Sequence, residues 1–141
     1  MYVDMVVDFI SRDFREHFGF TPVDEPLLTS VFNDEADRVE VKEFDRKLWL
    51  PSLELLLSMK VKSCPNRDKE HKRVKDICDI SSLLLFSTME LNKFSKRLRN
   101  VLNSEMIMEF NASISTPNLR SAADILGMDV STVENVVQKV R

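Results

Sequence analysis

Residues 59–85 read MKVKSCPNRDKEHKRVKDICDISSLLL, and they predict the end of an apolar helix, a charged loop and a second helix that begins charged and ends apolar. Eight charged residues lie from Arg67 to Asp76. Burying a charged group costs free energy unless the charge is paired, whereas leaving the group in water has no such cost. This charge beside an apolar run therefore indicates either a helix that enters from solvent or a polar site built against the core.

The composition is that of an ordinary globular protein. The chain has 141 residues, 43% of them hydrophobic and 30% charged, which suits a single domain. We divide it into a small α/β segment (1–50), a helical bundle (51–112) and a helical-hairpin tail (113–141). A net charge of −3 gives no overall attraction to nucleic acid, and two glycines disfavour a glycine-rich phosphate loop.

The sequence predicts a cytoplasmic protein without a membrane partner. No apolar run approaches the ~20 residues of a membrane span. The first residues, MYVDMVVDF, carry acids where a signal peptide carries positive charge. Two cysteines do not make a disulfide framework, which fits a reducing compartment.

The first 50 residues predict short strands. Alternation over residues 2–10 favours a strand bearing Asp4 and Asp8, although a helical stripe fits the same residues. A helix over 12–18 should end at Gly19. VEVKEF (39–44) predicts a half-exposed strand, which Leu48–Leu50 either extends or follows as a second strand.

Helical periodicity begins at Pro51. The first helix should place Leu53, Leu56, Leu57 and Lys60 on its buried side and stop before Pro65. Further helices are predicted from about Asp68, over 88–102 and over 104–110. The inner face of the second should comprise Val74, Ile77, Cys78, Ser81, Leu84 and Leu85.

The last segment predicts two helices separated by Gly127. Ser131 and Glu134 have capping-box spacing, and Val133, Val136, Val137 and Val140 should face inward. Ala123, Gly127, Val133 and Val136 fall where a helix-turn-helix has a small residue, a turn glycine and two core aliphatics. The second helix offers few cations for phosphate contacts, so a hairpin that packs on its own domain is an equal alternative.

Several polar residues are candidates for a site. Lys60 is either a lysine whose stem covers a neighbouring helix or a cation that neutralises phosphate oxygens. Asp76 and Asp79 are either a solvated helix start or paired carboxylates in a pocket. Asp4 and Asp8 are strand-borne carboxylates of the kind that hold Mg²⁺, with the polar face of an edge strand as the alternative. Cys64, His71 and Cys78 match no common zinc spacing.

These residues together resemble the AbiEii/AbiGii-type nucleotidyltransferases and their uncharacterised archaeal relatives. The recurring features correspond here to Leu50-Pro51-Ser52, Met59-Lys60, Arg67, Lys75-Asp76 and Asp79, and the resemblance covers about residues 2–90. The family's glycine pair and the complete Asp-x-Asp that follows it have no counterpart in this chain. Asp4 corresponds either to the last acid of that Asp-x-Asp or to the later third carboxylate.

The resemblance implies a helix-dominated α+β protein in which a small N-terminal sheet packs on a helical bundle, a partial nucleotidyltransferase-like fold. It implies Asp4, Asp8, Asp76 and Asp79 as catalytic residues, and Asp4 and Asp8 as ligands of Mg²⁺. Lys60, Arg67 and Lys75 would bind a nucleoside triphosphate. Because the front segment is missing, we expect no unaided catalysis of the ancestral Mg²⁺-dependent nucleotidyl transfer, which belongs to a toxin–antitoxin setting.

Two other functions remain open. The chain could be a non-catalytic nucleic-acid-binding module that uses its C-terminal helix pair and the basic residues of 93–99. It could also be a structural domain that associates with another copy of itself or with a different chain.

Overall fold

The computed structural model describes residues 6–7, 10–11, 13–19, 23–41, 48–86 and 101–140. The protein is a helix-dominated α+β protein, as predicted. It divides into two compact units, residues 1–52 and residues 53–141.

The first unit begins with two short parallel strands, β1 (Val6–Val7) and β2 (Val23–Asp24). Between them lies the short helix α1 (Phe14–Phe18). The chain leaves this helix through Gly19, whose φ of 72° is left-handed backbone that favours glycine. The predicted strand is therefore confirmed at Val6–Val7 and the predicted helix at Phe14–Phe18, whereas Ile10, the predicted end of the strand, lies in neither element. Asp4 and Asp8 lie outside the described residues.

The rest of this unit is a helix, a turn and a hairpin. Helix α2 (Leu28–Asn33) is followed by a 3₁₀ turn (Glu35–Asp37). Strand β3 (Arg38–Val41) then pairs antiparallel with β4 (Leu48–Pro51), with Val39 opposite Leu50. Leu48–Leu50 therefore forms a second strand rather than extending the first.

The second unit is helical. It contains α3 (Leu53–Ser63), α4 (Glu70–Phe86), α5 (Ser104–Ser113), α6 (Thr116–Leu126), α7 (Val130–Val137) and a final 3₁₀ turn (Gln138–Val140). One core joins them, with the fully buried Leu57, Ile77, Phe110 and Val133 among its members. The predicted helix over 88–102 lies almost wholly outside the described residues.

Helix α3 differs from its prediction in its start and in its buried side. Pro51 is the last residue of β4, opposite Arg38, so the helix begins at Leu53. Its buried side carries Leu55, Leu57, Ser58 and Val61. Leu53, Leu56 and Lys60 do share a side, but that side is only half-buried, because α4 and α5 pack against the neighbouring face.

The ends of helices α6 and α7 match the predicted start and stop signals only in part. Gly127 ends α6 with φ of 64°, and the Met128 N–H donates to the Ala123 carbonyl across it, as in a glycine C-cap. The capping box predicted from Ser131 and Glu134 is wrong, because α7 begins at Val130 with Asp129 as its N-cap residue, and Ser131 lies inside the helix. The four predicted inward valines are all buried.

Replacing Ser81 with alanine should stabilise the protein. The Ser81 side chain is fully buried in α4, and its hydroxyl has no hydrogen-bond partner among the described residues. An unpaired buried hydroxyl costs about 1–3 kcal/mol, so Ser81→Ala should raise the free energy of unfolding by about 1 kcal/mol. The matched control is Ser58→Ala, because Ser58 is equally buried but donates to the Glu54 carbonyl at 2.8 Å. Urea unfolding that ranked both variants below wild type would contradict this prediction.

Candidate functional site

The helical hairpin α3–α4 brings four of the predicted site residues together, namely Lys60, Arg67, Asp76 and Asp79. Helix α3 ends at Ser63 because Cys64 precedes a proline and avoids the helical region. The connection 64–69 then returns the chain antiparallel to itself. Arg73 in α4 supports this connection by donating to the carbonyls of Cys64 at 3.4 Å and Arg67 at 3.1 Å. Lys60 near the end of α3 consequently lies beside Asp76 and Asp79 of α4.

Asp76 is the centre of this cluster, and only 1% of its surface is exposed. Arg67 donates hydrogen bonds to both carboxylate oxygens of Asp76, with Nε at 2.5 Å from Oδ2 and Nη2 at 3.1 Å from Oδ1. The Ser63 hydroxyl donates to Oδ2 at 3.1 Å, and Lys60 Nζ to Oδ1 at 3.3 Å. The bidentate hydrogen bonding of Arg67 to Asp76 matches the planar geometry of the guanidinium group. The hydrogen bond to Asp76 raises the pKa of Arg67.

Lys60 bridges the two carboxylates. Its Nζ lies 2.6 Å from Asp79 Oδ2 as well as 3.3 Å from Asp76 Oδ1. Partial burial by itself would lower the pKa of Lys60, but hydrogen bonds and charges from Asp79 and Asp76 outweigh it and raise the pKa above the ordinary 10.5. Two cations and two carboxylates leave Lys60, Arg67, Asp76 and Asp79 with no net charge.

An open cavity of about 420 Å³ lies next to the Lys60–Asp79 pair. Leu53, Leu56, Leu83 and Phe86 form its apolar walls. Lys60, Asp79 and Ser82 provide its polar side. A mostly apolar pocket with a few convergent polar groups is the usual form of a small-molecule site. The arrangement can hold an apolar ring against the walls and a charged group against Lys60 or Asp79.

The structure places the predicted residues unevenly. Lys60, Arg67, Asp76 and Asp79 form one cluster, whereas Lys75 is exposed and does not contact it in the part of the chain that is described. Sequence reasoning missed Ser63, Ser82 and Phe86. Helical spacing from Asp79 could have indicated Ser82 and Phe86, since positions 79, 82 and 86 share a helix face. For Ser63 no sequence signal pointed to Asp76.

The three residues of the weak zinc pattern do not form a metal site. Cys64 and Cys78 are buried free thiols, and His71 is exposed. Within the described ranges, no three His, Cys, Asp or Glu side chains are grouped so that they could hold a metal ion.

Stability should fall at alkaline pH through Cys64. Burial raises the pKa of the Cys64 thiol from 9.0 to about 11. Between these values the unfolded chain loses the thiol proton while the folded chain keeps it, so a rising pH favours unfolding. The loss should reach about 2 kcal/mol between pH 9 and 11. Urea unfolding across this range measures it. Cys64→Ala is the comparison, and its profile should be flatter; superimposable profiles would contradict the assignment.

Helices α6 and α7 are consecutive helices that pack against each other and are joined by a short turn. Gly127 makes the turn, and the small residue Ala123 and the aliphatic residues Val133 and Val136 are buried between the helices and α4. Among the described residues, the exposed charges of this pair are Arg120, Asp124, Asp129 and Glu134, with Lys139 in the following turn. These charges sum to −1, which gives the surface no positive potential.

Comparison with models of protein families finds no match, and comparisons with curated proteins and with solved structures find no significant similarity. Of the helices that the structure describes, none is both long and apolar enough to cross a membrane.

Proposed function

We propose that the chain is a nucleotidyltransferase-like protein that binds a nucleoside triphosphate with Mg²⁺ in the α3–α4 pocket. The supporting observation is the convergence of Lys60 and Asp79 at the polar side of an apolar cavity of about 420 Å³. Asp76, which does not line the cavity, also contacts Lys60 and is itself paired with Arg67. The family resemblance assigns phosphate contact to this lysine, and the cavity provides apolar walls for a base.

The charge balance explains why Mg²⁺ belongs in the proposal. The cluster is neutral, so a triphosphate alone would meet the Asp79 carboxylate beside Lys60 and be repelled by it. Mg²⁺ commonly binds through one or two carboxylates together with substrate phosphates. In the proposed complex Asp79 would help to hold the metal ion, and Lys60 would contact the phosphates.

Catalysis in this proposal depends on a partner. The chain has no Gly-Gly or Gly-Ser pair, which the family resemblance places at the nucleotide phosphates. Asp4 and Asp8, which the family resemblance implies as further ligands of Mg²⁺, lie outside the described residues. The setting we propose is a toxin–antitoxin system in the cytoplasm, where two free buried thiols remain reduced.

Calorimetric titration with ATP and GTP, each with Mg²⁺, tests the proposal. Wild type should bind saturably, and Lys60→Ala should bind at least about tenfold more weakly, because a hydrogen bond to a charged group contributes about 1.5–3 kcal/mol. The matched control is Lys62→Ala on the same helix, which lies on the opposite side from Lys60 and should bind like wild type. Asp79→Asn should reduce the dependence on Mg²⁺.

Circular dichroism of each variant shows whether it is folded before titration, since Lys60 also supports Asp76. Absence of binding by the wild-type chain would refute the proposal. Equal affinities for wild type and a folded Lys60→Ala would also refute it.

A second candidate function is nucleic-acid binding by α6 and α7. The observation that favours it is the turn at Gly127 between two packed helices, with Ala123, Val133 and Val136 buried, and its weakness is the net negative surface charge. Phosphate contacts make DNA binding strongly salt-dependent. Duplex DNA binding that weakens steeply with salt and is lost in Asn135→Ala, an exposed residue of α7, would support this function. A salt-independent or absent signal would exclude it.

A further inference from the structure

The outer face of α4 carries a stripe that continues from the pocket toward the start of the helix. Lys72, Lys75, Asp79, Ser82 and Phe86 recur at intervals of three and four residues, so they share one side of the helix. Lys72, Lys75 and Phe86 are exposed, whereas Asp79 and Ser82 are half-buried at the pocket. We call this set the α4 stripe.

The two ends of the α4 stripe have different chemistry. Phe86 presents an aromatic ring that is 72% exposed at the wall of the apolar cavity. Lys72 and Lys75 present ammonium groups at the other end. A ligand that matches both ends must offer a flat ring to stack and a series of negative charges in line with it.

We propose that the α4 stripe binds single-stranded nucleic acid, with one base stacked on Phe86 in the pocket and phosphates several nucleotides further along the strand at Lys75 and Lys72. A single strand fits better than a duplex, because only an unpaired base exposes its face to a side chain, and base–aromatic stacking with a cationic track is the usual mode of single-strand binding. The inference rests on the proposed function, since its base-binding end is the same α3–α4 pocket.

The dimensions agree with a short oligonucleotide. Fourteen residues separate Lys72 from Phe86, which is about 21 Å along a helix. A stacked strand advances about 3.4 Å per nucleotide, so the stripe spans about six nucleotides.

The acidic residues along this track do not block it. Asp68 pairs with Lys72 at 3.3 Å, but both side chains are about half-exposed or more, and such a surface pair is weak enough for a phosphate to replace it. Asp79 is already paired with Lys60, which offsets its charge. Lys75 adds a further exposed cation to the same track.

Fluorescence anisotropy with a labelled oligouridylate of about six nucleotides, titrated with the full chain at several salt concentrations, tests the inference. Lys72 and Lys75 should determine how steeply the affinity falls with salt concentration, whereas Phe86 should contribute equally to the affinity at every salt concentration. The double variant Lys72→Ala/Lys75→Ala should reduce the slope of log K against log salt by about 1.4. Phe86→Leu, which keeps an apolar side chain without a ring, should weaken binding about tenfold and leave the slope unchanged.

The control for charge is Lys139→Ala, which removes an exposed lysine from the turn after α7 and should change neither quantity. An equal effect of Lys139→Ala and of the stripe variants would overturn the inference, since attraction would then depend on charge alone. Wild-type affinity in Phe86→Leu, or equal competition by a duplex of the same length, would overturn it as well.

Titration with UTP and Mg²⁺ separates this inference from the proposed function. If UTP binds in a Lys60-dependent way but the oligouridylate binds no more tightly than UTP, binding of nucleic acid by the α4 stripe is refuted and the nucleotide pocket stands. If the oligouridylate binds as expected while UTP, ATP and GTP all fail to bind with Mg²⁺, the triphosphate site is refuted and the stripe stands. If neither binds, both are refuted.

Discussion

Asp76→Ala is expected to destabilise the helical unit by about 3–5 kcal/mol, a large share of the 5–15 kcal/mol that a typical domain has. Asp76 is 1% exposed and accepts hydrogen bonds from Arg67, Ser63 and Lys60. Its removal leaves the guanidinium and the ammonium partly buried without their shared carboxylate. Losing one member of a buried ion pair costs more than the pair itself contributes, because the remaining charge stays desolvated.

Urea unfolding followed by circular dichroism measures this effect. Asp79→Ala is the matched control, because Asp79 contacts the same lysine but is about one-third exposed. This substitution should lower the free energy of unfolding by about 1 kcal/mol or less. The double variant Arg67→Met/Asp76→Leu should recover part of the loss, since it removes the buried pair rather than one half of it. A loss no greater for Asp76→Ala than for Asp79→Ala would show that the buried cluster does not stabilise the fold.

Phe110→Ala is expected to destabilise the protein by about 3–5 kcal/mol as well, for an apolar reason. Phe110 is fully buried on α5 and is the largest of the fully buried side chains that the structure describes. Truncation removes apolar surface from the core and leaves a cavity that the surrounding helices can fill only in part. The cost depends on how far they relax, which explains the range.

The control lies on the same helix. Met108 is 70% exposed, so Met108→Ala removes a large apolar side chain from solvent rather than from the core and should change the free energy of unfolding by about 0.5 kcal/mol or less. Thermal or urea unfolding of both variants tests the contrast. Similar losses for the two would mean that α5 does not seat Phe110 in the core.

Local structure in this chain follows largely from short-range rules. A residue before proline avoids the helical region, which ended α3 near Cys64. Glycine adopts left-handed backbone easily, which ended α1 at Gly19 and α6 at Gly127. The valine spacing of the last helix gave its buried side correctly. Alternation over 39–44 predicted a strand, which is present as far as Val41, the last residue described there. Each of these features depends on neighbours within about one helical turn, so it can be predicted from the amino-acid sequence alone.

Features that depend on distant residues could not be predicted in the same way. Whether Leu56 or Leu55 of α3 faced the core depended on where α4 and α5 packed, because both leucines fit a helical stripe. The partners of Asp76 lie 9, 13 and 16 residues away, too far for helical spacing to pair them. Lys60 and Asp76 were both candidates for the site, but the charge pattern did not show that they contact each other.

The α+β class, the helical second half and the candidate residues Lys60, Arg67, Asp76 and Asp79 therefore come from the sequence, through composition, periodicity and a family resemblance. Only the tertiary structure made these residues a neutral, partly buried cluster beside an apolar cavity with Phe86 in its wall. The physical reason is that burial and charge pairing are properties of packed surfaces. A carboxylate that looks solvated at a helix start becomes fully enclosed once a loop folds an arginine over it.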